Sequence, residues 1–225
     1  MKIKAFVFNP FQEHCFVLSN KTECIIIDPG CCNNKERSSL SDYIKEENLN
    51  IKYLLNTHLH IDHIMGNRFI QSEFGIGASA NEKDEFLLEN MYQYACSLGL
   101  MGNAFTEPLF YKQIEAFPLQ NLLCEGDIIK IDGIQLDVIE IPGHTPGHLA
   151  FYNKQDDCIF SGDAIFRGSI GRTDLAGKDE NEMYNLLITS IKTKILSLPD
   201  TTTIFTGHGP TTTVGQEKRN NPYLS

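Results

Sequence analysis

No apolar run in these 225 residues approaches the length of a membrane span, and Met1-Lys2-Ile3-Lys4-Ala5-Phe6 leads into no signal-peptide core with a small-residue cleavage site. The expectation is a cytoplasmic protein with no membrane partner. Cations are scarce: Lys and Arg number 19 against 29 Asp and Glu, for a formal charge of −10. Stripes of lysine and arginine that could neutralise phosphates are missing, which argues against broad nucleic-acid binding and against a nuclease. The cysteines, 7 in number with no C-x-x-C spacing, fit a reduced compartment better than a disulfide framework. Cys31-Cys32 follow a turn and are either neighbours of a site or small thiols packed as hydrophobes. A hydrophobic content of 41% excludes a disordered chain. A domain of this size buries about 70% of its unfolded surface and needs no staple, so residues 1–225 are expected to form a single domain.

What the chain does have is a dense run, Thr57-His58-Leu59-His60-Ile61-Asp62-His63. His58, His60, His63, His144 and His208 account for five of its 7 histidines, and the later two lie in similar loop-like, glycine-rich settings. Scattered histidines would more often be satisfied surface or core groups; clustered ones point to metal chemistry.

Along the chain, Lys2–Phe8, His14–Leu18 and Glu23–Ile27 read as strands of an antiparallel meander, so His14 is a sheet residue. Leu40–Leu49 is compatible with an amphipathic helix, and Ile51–Leu55 is a strand running straight into the histidine stretch. Helices are predicted over His63–Phe74 and from Ala80 to about Ala95, with Asn81 as an N-cap. Residues 97–119 mix glycine, proline and aromatics and read as a long loop, either a lid or an irregular connector. Strands resume at Asp127–Ile131, Ile134–Ile141, His148–Tyr152 and Cys158–Ser161, followed by a helix over Met183–Leu196 and a strand over Thr203–Phe205. Strands then helices, repeated once, predict two similar halves, each a mixed sheet with helices on its outer face. The expected class is α/β (α+β), with two stacked sheets sandwiched by helices.

In an extended segment His58 and His60 project to one side, and the turn into a helix redirects Asp62 and His63 towards a neighbouring point. That spacing suits two adjacent cations. His144, Asp163 and His208 each end a later strand and can reach the same rim, and a carboxylate such as Asp163 can bridge metals about 3.5–4 Å apart. Imidazole and carboxylate suit zinc, iron or manganese. Coordination lowers the pKa of water from about 15.7 to about 7, roughly 11 kcal/mol of deprotonation, which supplies hydroxide at neutral pH.

Four motifs in this order, Thr57-His58-x-His60-x-Asp62-His63, Pro142-Gly143-His144-Thr145-Pro146-Gly147-His148, Ser161-Gly162-Asp163 and Gly207-His208-Gly209, resemble the metallo-β-lactamase fold superfamily. Asn9-Pro10-Phe11-Gln12-Glu13, Gly171-Arg172-Thr173-Asp174-Leu175 and Thr211–Glu217 further resemble the small bacterial glyoxalase II-like hydrolases. The resemblance implies a four-layer αββα sandwich. It places His58, His60 and His144 on one metal, Asp62, His63 and His208 on the other, and Asp163 between them, with zinc as the metal or else iron or manganese. It also implies cleavage of a small acyl-thiol substrate such as hydroxyacylglutathione, by hydroxide attack on a polarised carbonyl with departure of a thiolate. Asp62 and Asp163 are the catalytic candidates. Larger glyoxalase II enzymes carry a helical C-terminal domain that holds glutathione; only a short stretch follows His208 here, so the expectation leaves the thiol carrier open.

Arg172 is either the anchor for a substrate carboxylate or the partner of Asp174. Asp28 is either a support for a ligand histidine or a plain turn residue, and His148 is expected to hold the His144 loop. The competing functions are a mononuclear iron dioxygenase of the persulfide type, a lactonase or lactamase, and a metal-binding protein without turnover.

Overall fold

The computed structural model describes residues 1–89, 117–175 and 179–224. Contacts divide the chain into two compact units, Lys2–Leu122 and Leu123–Ser225 together with Met1. Among the described residues no helix is long and apolar enough to cross a membrane.

In the unit Lys2–Leu122, six strands pair in sequence order: β1 (Lys2–Phe8), β2 (Glu13–Asn20), β3 (Glu23–Ile27), β4 (Asn50–Leu55), β5 (Ala78–Ala80) and β6 (Asn121–Leu122). The first three run antiparallel and the rest add in parallel, so the sheet is mixed. Apolar content decides which strands are central. Cys15 to Leu18 and Cys24 to Ile27 are buried without interruption, the mark of strands covered on both faces, whereas β1 is largely exposed and sits at the edge. A parallel pair needs a crossover, and α1 (Asn34–Glu46) supplies it between β3 and β4. It begins earlier than its apolar pattern suggests because Asn33 caps it, accepting from the Glu36 N–H, and its Leu40 and Ile44 join the core of Val17, Ile26 and Leu54.

The helix expected over His63–Phe74 is two pieces, α2 (Ile61–Ile64) and α3 (Asn67–Phe74). The break falls at Gly66, whose N–H donates to Pro29 O at 2.6 Å and where a Cβ would overlap that carbonyl. The helix expected from Ala80 begins as a 3-10 turn, Glu82–Asp84, capped by Asn81 as predicted, and runs into α4 (Glu85–Glu89). Its continuation lies outside the described residues, as does the predicted loop apart from residues 117–119.

The unit Leu123–Ser225 builds a second mixed sheet in the order β14-β13-β10-β9-β8-β7. Its strands are β7 (Ile128–Ile131), β8 (Ile134–Glu140), β9 (Leu149–Asn153), β10 (Cys158–Gly162), β13 (Thr203–Thr206) and β14 (Thr212–Thr213). Antiparallel pairing from β7 to β10 gives way to a parallel β10–β13 pair. The crossover contains a small hairpin, β11 (Ile165–Phe166) with β12 (Ser169–Ile170), and α5 (Glu180–Ser190), which continues as a π turn over Ile191–Ile195 rather than as regular α-helix to Leu196. Leu187, Ile191 and Ile195 bury into the core of Ala150, Ile159 and Ile204. A last helix, α6 (Val214–Asn220), follows β14. Each unit thus runs through antiparallel strands, three in the first and four in the second, then a helical crossover and a parallel strand, and in each the parallel strand ends at a histidine-bearing loop.

Candidate metal centre

In the first unit the loop after β4 is fixed by an acid at the end of β3. Parallel pairing sets Ile27 beside Leu55, and the Asp28 N–H donates to Leu55 O at 3.0 Å. Asp28 is 2% exposed with φ +49, a left-handed conformation that aspartate tolerates better than most residues. Its carboxylate accepts the Thr57 N–H at 2.8 Å and the Thr57 hydroxyl at 2.6 Å, and Oδ2 lies 3.1 Å from Nδ1 of His63.

Thr57 links Asp28 to His58, a contact that spacing did not reveal. A hydroxyl has one proton, and here Asp28 takes it; Nδ1 of His58, 3.0 Å from Thr57 Oγ1, is therefore the donor in that contact. His63 likewise donates through Nδ1 to Asp28. Both rings are held in the tautomer that leaves a lone pair on Nε2, the arrangement that orients a metal-binding imidazole. His58, His60 and His63 are all buried, with ring centroids 4.8 Å apart for His58–His60 and 4.2 Å for His58–His63. Oδ2 of Asp62 stands 3.7 Å from Nε2 of His63. Asp28, His58 and His63 also bring potential ligand atoms within 4.8 Å of one another, with the Asp28 oxygens engaged by Thr57 and His63.

In the second unit, His144 sits on the loop between β8 and β9. The Ile141 N–H donates to His148 O at 2.8 Å to close that loop, and Gly143, at φ +140, lies where a Cβ would strike Leu187. Nδ1 of His144 donates to Arg172 O at 2.7 Å, again leaving Nε2 as the lone-pair nitrogen. Nε2 of His144 lies 3.7 Å and Nε2 of His208 3.6 Å from the same oxygen, Oδ2 of Asp163. His148 reaches this acid too: the Asp163 N–H donates to its Nε2 at 3.2 Å, so its side chain holds the acid while its backbone closes the His144 loop. Gly171 lets the Asp163 carbonyl approach where a Cβ would collide.

These separations suit a shared metal ion better than a hydrogen bond. Contacts of 3.6 and 3.7 Å are too long for hydrogen bonds, whereas two donors held at about 2.0–2.2 Å by one ion at a tetrahedral angle stand roughly 3.4 Å apart. Neutral imidazoles with Nε2 directed at a carboxylate make a donor set that suits zinc, iron or manganese.

Arg172 is exposed, and its fork grips Asp174, Nε to Oδ1 at 2.9 Å and Nη2 to Oδ2 at 2.6 Å. That hydrogen bonding holds the Asp174 carboxyl below the usual range. Burial pushes the Cys31 thiol well up, and burial followed by the nearby Glu36 charge raises Cys32 to about 11, so their surroundings hold both as neutral thiols at neutral pH. His14 lies in β2 with its ring 6.0 Å from Phe16.

Comparison with known proteins agrees with this architecture. The metallo-beta-lactamase superfamily model matches residues 8–208. Hydroxyacylglutathione hydrolase GloC of Haemophilus influenzae is 39% identical over 228 residues, covering 100% of this chain and 99% of that protein. Among solved structures, BLEG-1 B3 metallo-beta-lactamase aligns with a TM-score of 0.82 at 34% identity over 100% of both chains. TTHA1623 in a di-iron-bound form aligns with a TM-score of 0.79 at 32% identity, over 98% of this chain and 100% of that one. The expected fold class is met: two mixed sheets with helices, with metallo-β-lactamase folds as structural neighbours.

Proposed function

The chain belongs to the metallo-β-lactamase superfamily, and from that premise we propose that this metallo-hydrolase is a binuclear enzyme cleaving a small acyl-thiol of the hydroxyacylglutathione type. The observation that carries the reading is the Asp163 carboxylate, one oxygen of which faces two imidazole Nε2 atoms at 3.7 and 3.6 Å, as a bridging ligand would. His58, His60 and His144 would hold one ion, Asp62, His63 and His208 the other, and Asp163 both. Bound divalent ions, zinc in this reading, supply hydroxide at neutral pH and polarise the acyl carbonyl.

The chain's own groups do the rest. Asp28, acting directly on His63 and through Thr57 on His58, holds both rings at Nδ1 and so aims both Nε2 lone pairs. His148 fixes the backbone of Asp163. Asp62, partly exposed beside His63, orients the attacking water by accepting a hydrogen bond. A thiol has a pKa of about 8.5, so a thiolate departs without a proton donor; an amine leaving from a lactam would need one. This favours a thioester over a lactam for a donor set made of acceptors. Arg172 would take a substrate carboxylate by exchange with Asp174. The cytoplasm remains the proposed compartment, on the odd cysteine count without C-x-x-C spacing.

A lactam reading draws on BLEG-1, and iron as the metal draws on the di-iron form of TTHA1623. Thioester, lactone, β-lactam and persulfide substrates tested on one preparation of known metal content separate these. The expected result is about two ions per chain and fastest turnover of the thioester. Dominant β-lactam turnover, or oxygen uptake with a persulfide on a single tightly held iron, overturns it.

A further inference from the structure

Helix α2 is a single turn of 4 residues, too short to support itself. The carbonyl of Asp62 would ordinarily bond the N–H four residues on, but the Gly66 N–H donates to Pro29 O at 2.6 Å instead. That carbonyl is taken by another residue, Asn9, whose Nδ2 donates to Asp62 O at 2.9 Å and also to Gly30 O at 3.0 Å. Asn9 Oδ1 accepts the Phe11 N–H at 3.0 Å, and the Asn9 N–H donates to Glu36 Oε1 at 3.1 Å, while Glu36 Oε2 takes the Cys32 N–H at 2.7 Å.

Both amide hydrogens and the amide oxygen of Asn9 are therefore committed, on a residue only 8% exposed and at φ +51. Few side chains combine two donors on one nitrogen with an adjacent acceptor and tolerate that backbone conformation. Gly30 leaves the space that the amide and the Asp62 carbonyl occupy; a Cβ there would lie 2.6 Å from Asn9 Nδ2 and overlap the carbonyl. His63, next along α2, has its own restraint through Asp28. Asp62 is held at its backbone by Asn9.

We infer that Asn9 is a positioning residue for the metal centre: through the Asp62 carbonyl it fixes where the Asp62 carboxylate stands relative to Nε2 of His63. This rests on the reading that Asp62 is a metal ligand. Asn9 touches neither metal nor substrate; its effect passes through α2.

Two substitutions isolate the amide. Asn9→Gly keeps the backbone conformation accessible and deletes both donors, while Asn9→Asp keeps the shape and turns a carboxylate towards two carbonyls. Leu40→Ala, a buried core position of α1 that is none of the proposed ligands, serves as the control for lost stability. Each protein is loaded with zinc, dialysed against graded chelator and assayed for ions retained per chain, with melting temperature and the kcat and KM of a thioester measured alongside. The expected result is that both Asn9 variants stay folded and lose one of two ions at chelator concentrations at least about tenfold lower than wild type does, the size of effect typical of groups that orient ligands. Their kcat falls more than KM rises, whereas Leu40→Ala melts earlier and keeps both ions. Retention equal to wild type, or loss no greater than in Leu40→Ala, overturns the inference. A wild-type protein holding a single ion defeats the binuclear reading separately, and Asn9 is then judged on that ion by the same comparison. Were Asn9→Asp to misfold, Asn9→Gly, which relieves the backbone strain, decides alone.

Discussion

Asp28 and Asp163 hold the same topological place in the two units: each directly follows the last strand of an antiparallel run, beside the parallel strand that leads into a histidine loop. Their environments give them different work. Asp28 is closed off by Thr57 and by Nδ1 of His63, while Asp163 faces Nε2 of His144 and Nε2 of His208. Replacing them should separate orientation from ligation.

Asp163→Ala should lose bound metal and hydrolysis together, with kcat/KM down by about a thousandfold or more, since polarisation by a bound ion is worth several kcal/mol. Metal analysis and thioester kinetics on the same sample check this; retention of both removes the bridging assignment.

Asp28→Asn keeps a side chain tolerant of φ +49 but sets an amide against groups that donate to the carboxylate. Metal affinity should fall about 10- to 100-fold while the fold persists. Zinc competition with a chromophoric chelator measures it, and unchanged affinity would reduce Asp28 to a turn residue.

For the substrate end, Arg172→Ala should raise KM for an anionic acyl-thiol more than for a neutral one, and Asp174→Ala should lower KM for the anionic substrate by freeing the fork. The Asp174 carboxyl is depressed by its bond to Arg172, so the pair's contribution is present above the ordinary carboxylate pKa and lost only as pH falls through the lower folded value. At neutral pH Asp174 is ionised and competes with substrate. Equal KM effects on charged and neutral substrates would leave the pair purely structural.

The thiols give a separate check. Exposed Cys124 should alkylate quickly in the native protein, while Cys32, raised to about 11, should react slowly at neutral pH and about tenfold faster per pH unit until it titrates. Peptide mapping after timed alkylation reads both rates. Fast labelling of Cys32 at pH 7 contradicts the environment described for it.

Much of this fold is legible in the sequence because its strands are short apolar-rich runs bounded by turn residues: Lys2–Phe8 and Glu23–Ile27 coincide with the predicted strands, and Ile51–Leu55 falls one residue short of β4. Elements set by tertiary bonds are not. β5, β6 and the β11–β12 hairpin are too short to show a period, and the split between α2 and α3 depends on a contact of Gly66 with Pro29, distant in sequence. The start of α1 is set by its cap, Asn33, and its first turn lacks the apolar spacing that identifies the rest. The site divides the same way. Its histidines and acids are visible as a cluster of unusual residue types, whereas Thr57 and Asn9 are ordinary residues whose roles come only from the bonds they make.

The most direct test of the binuclear account is titration of metal-free protein with zinc while thioester hydrolysis is followed. Activity is predicted to rise to a break at about two equivalents per chain and to vanish again on chelation; a break at one equivalent, or full metal binding without turnover, would contradict it.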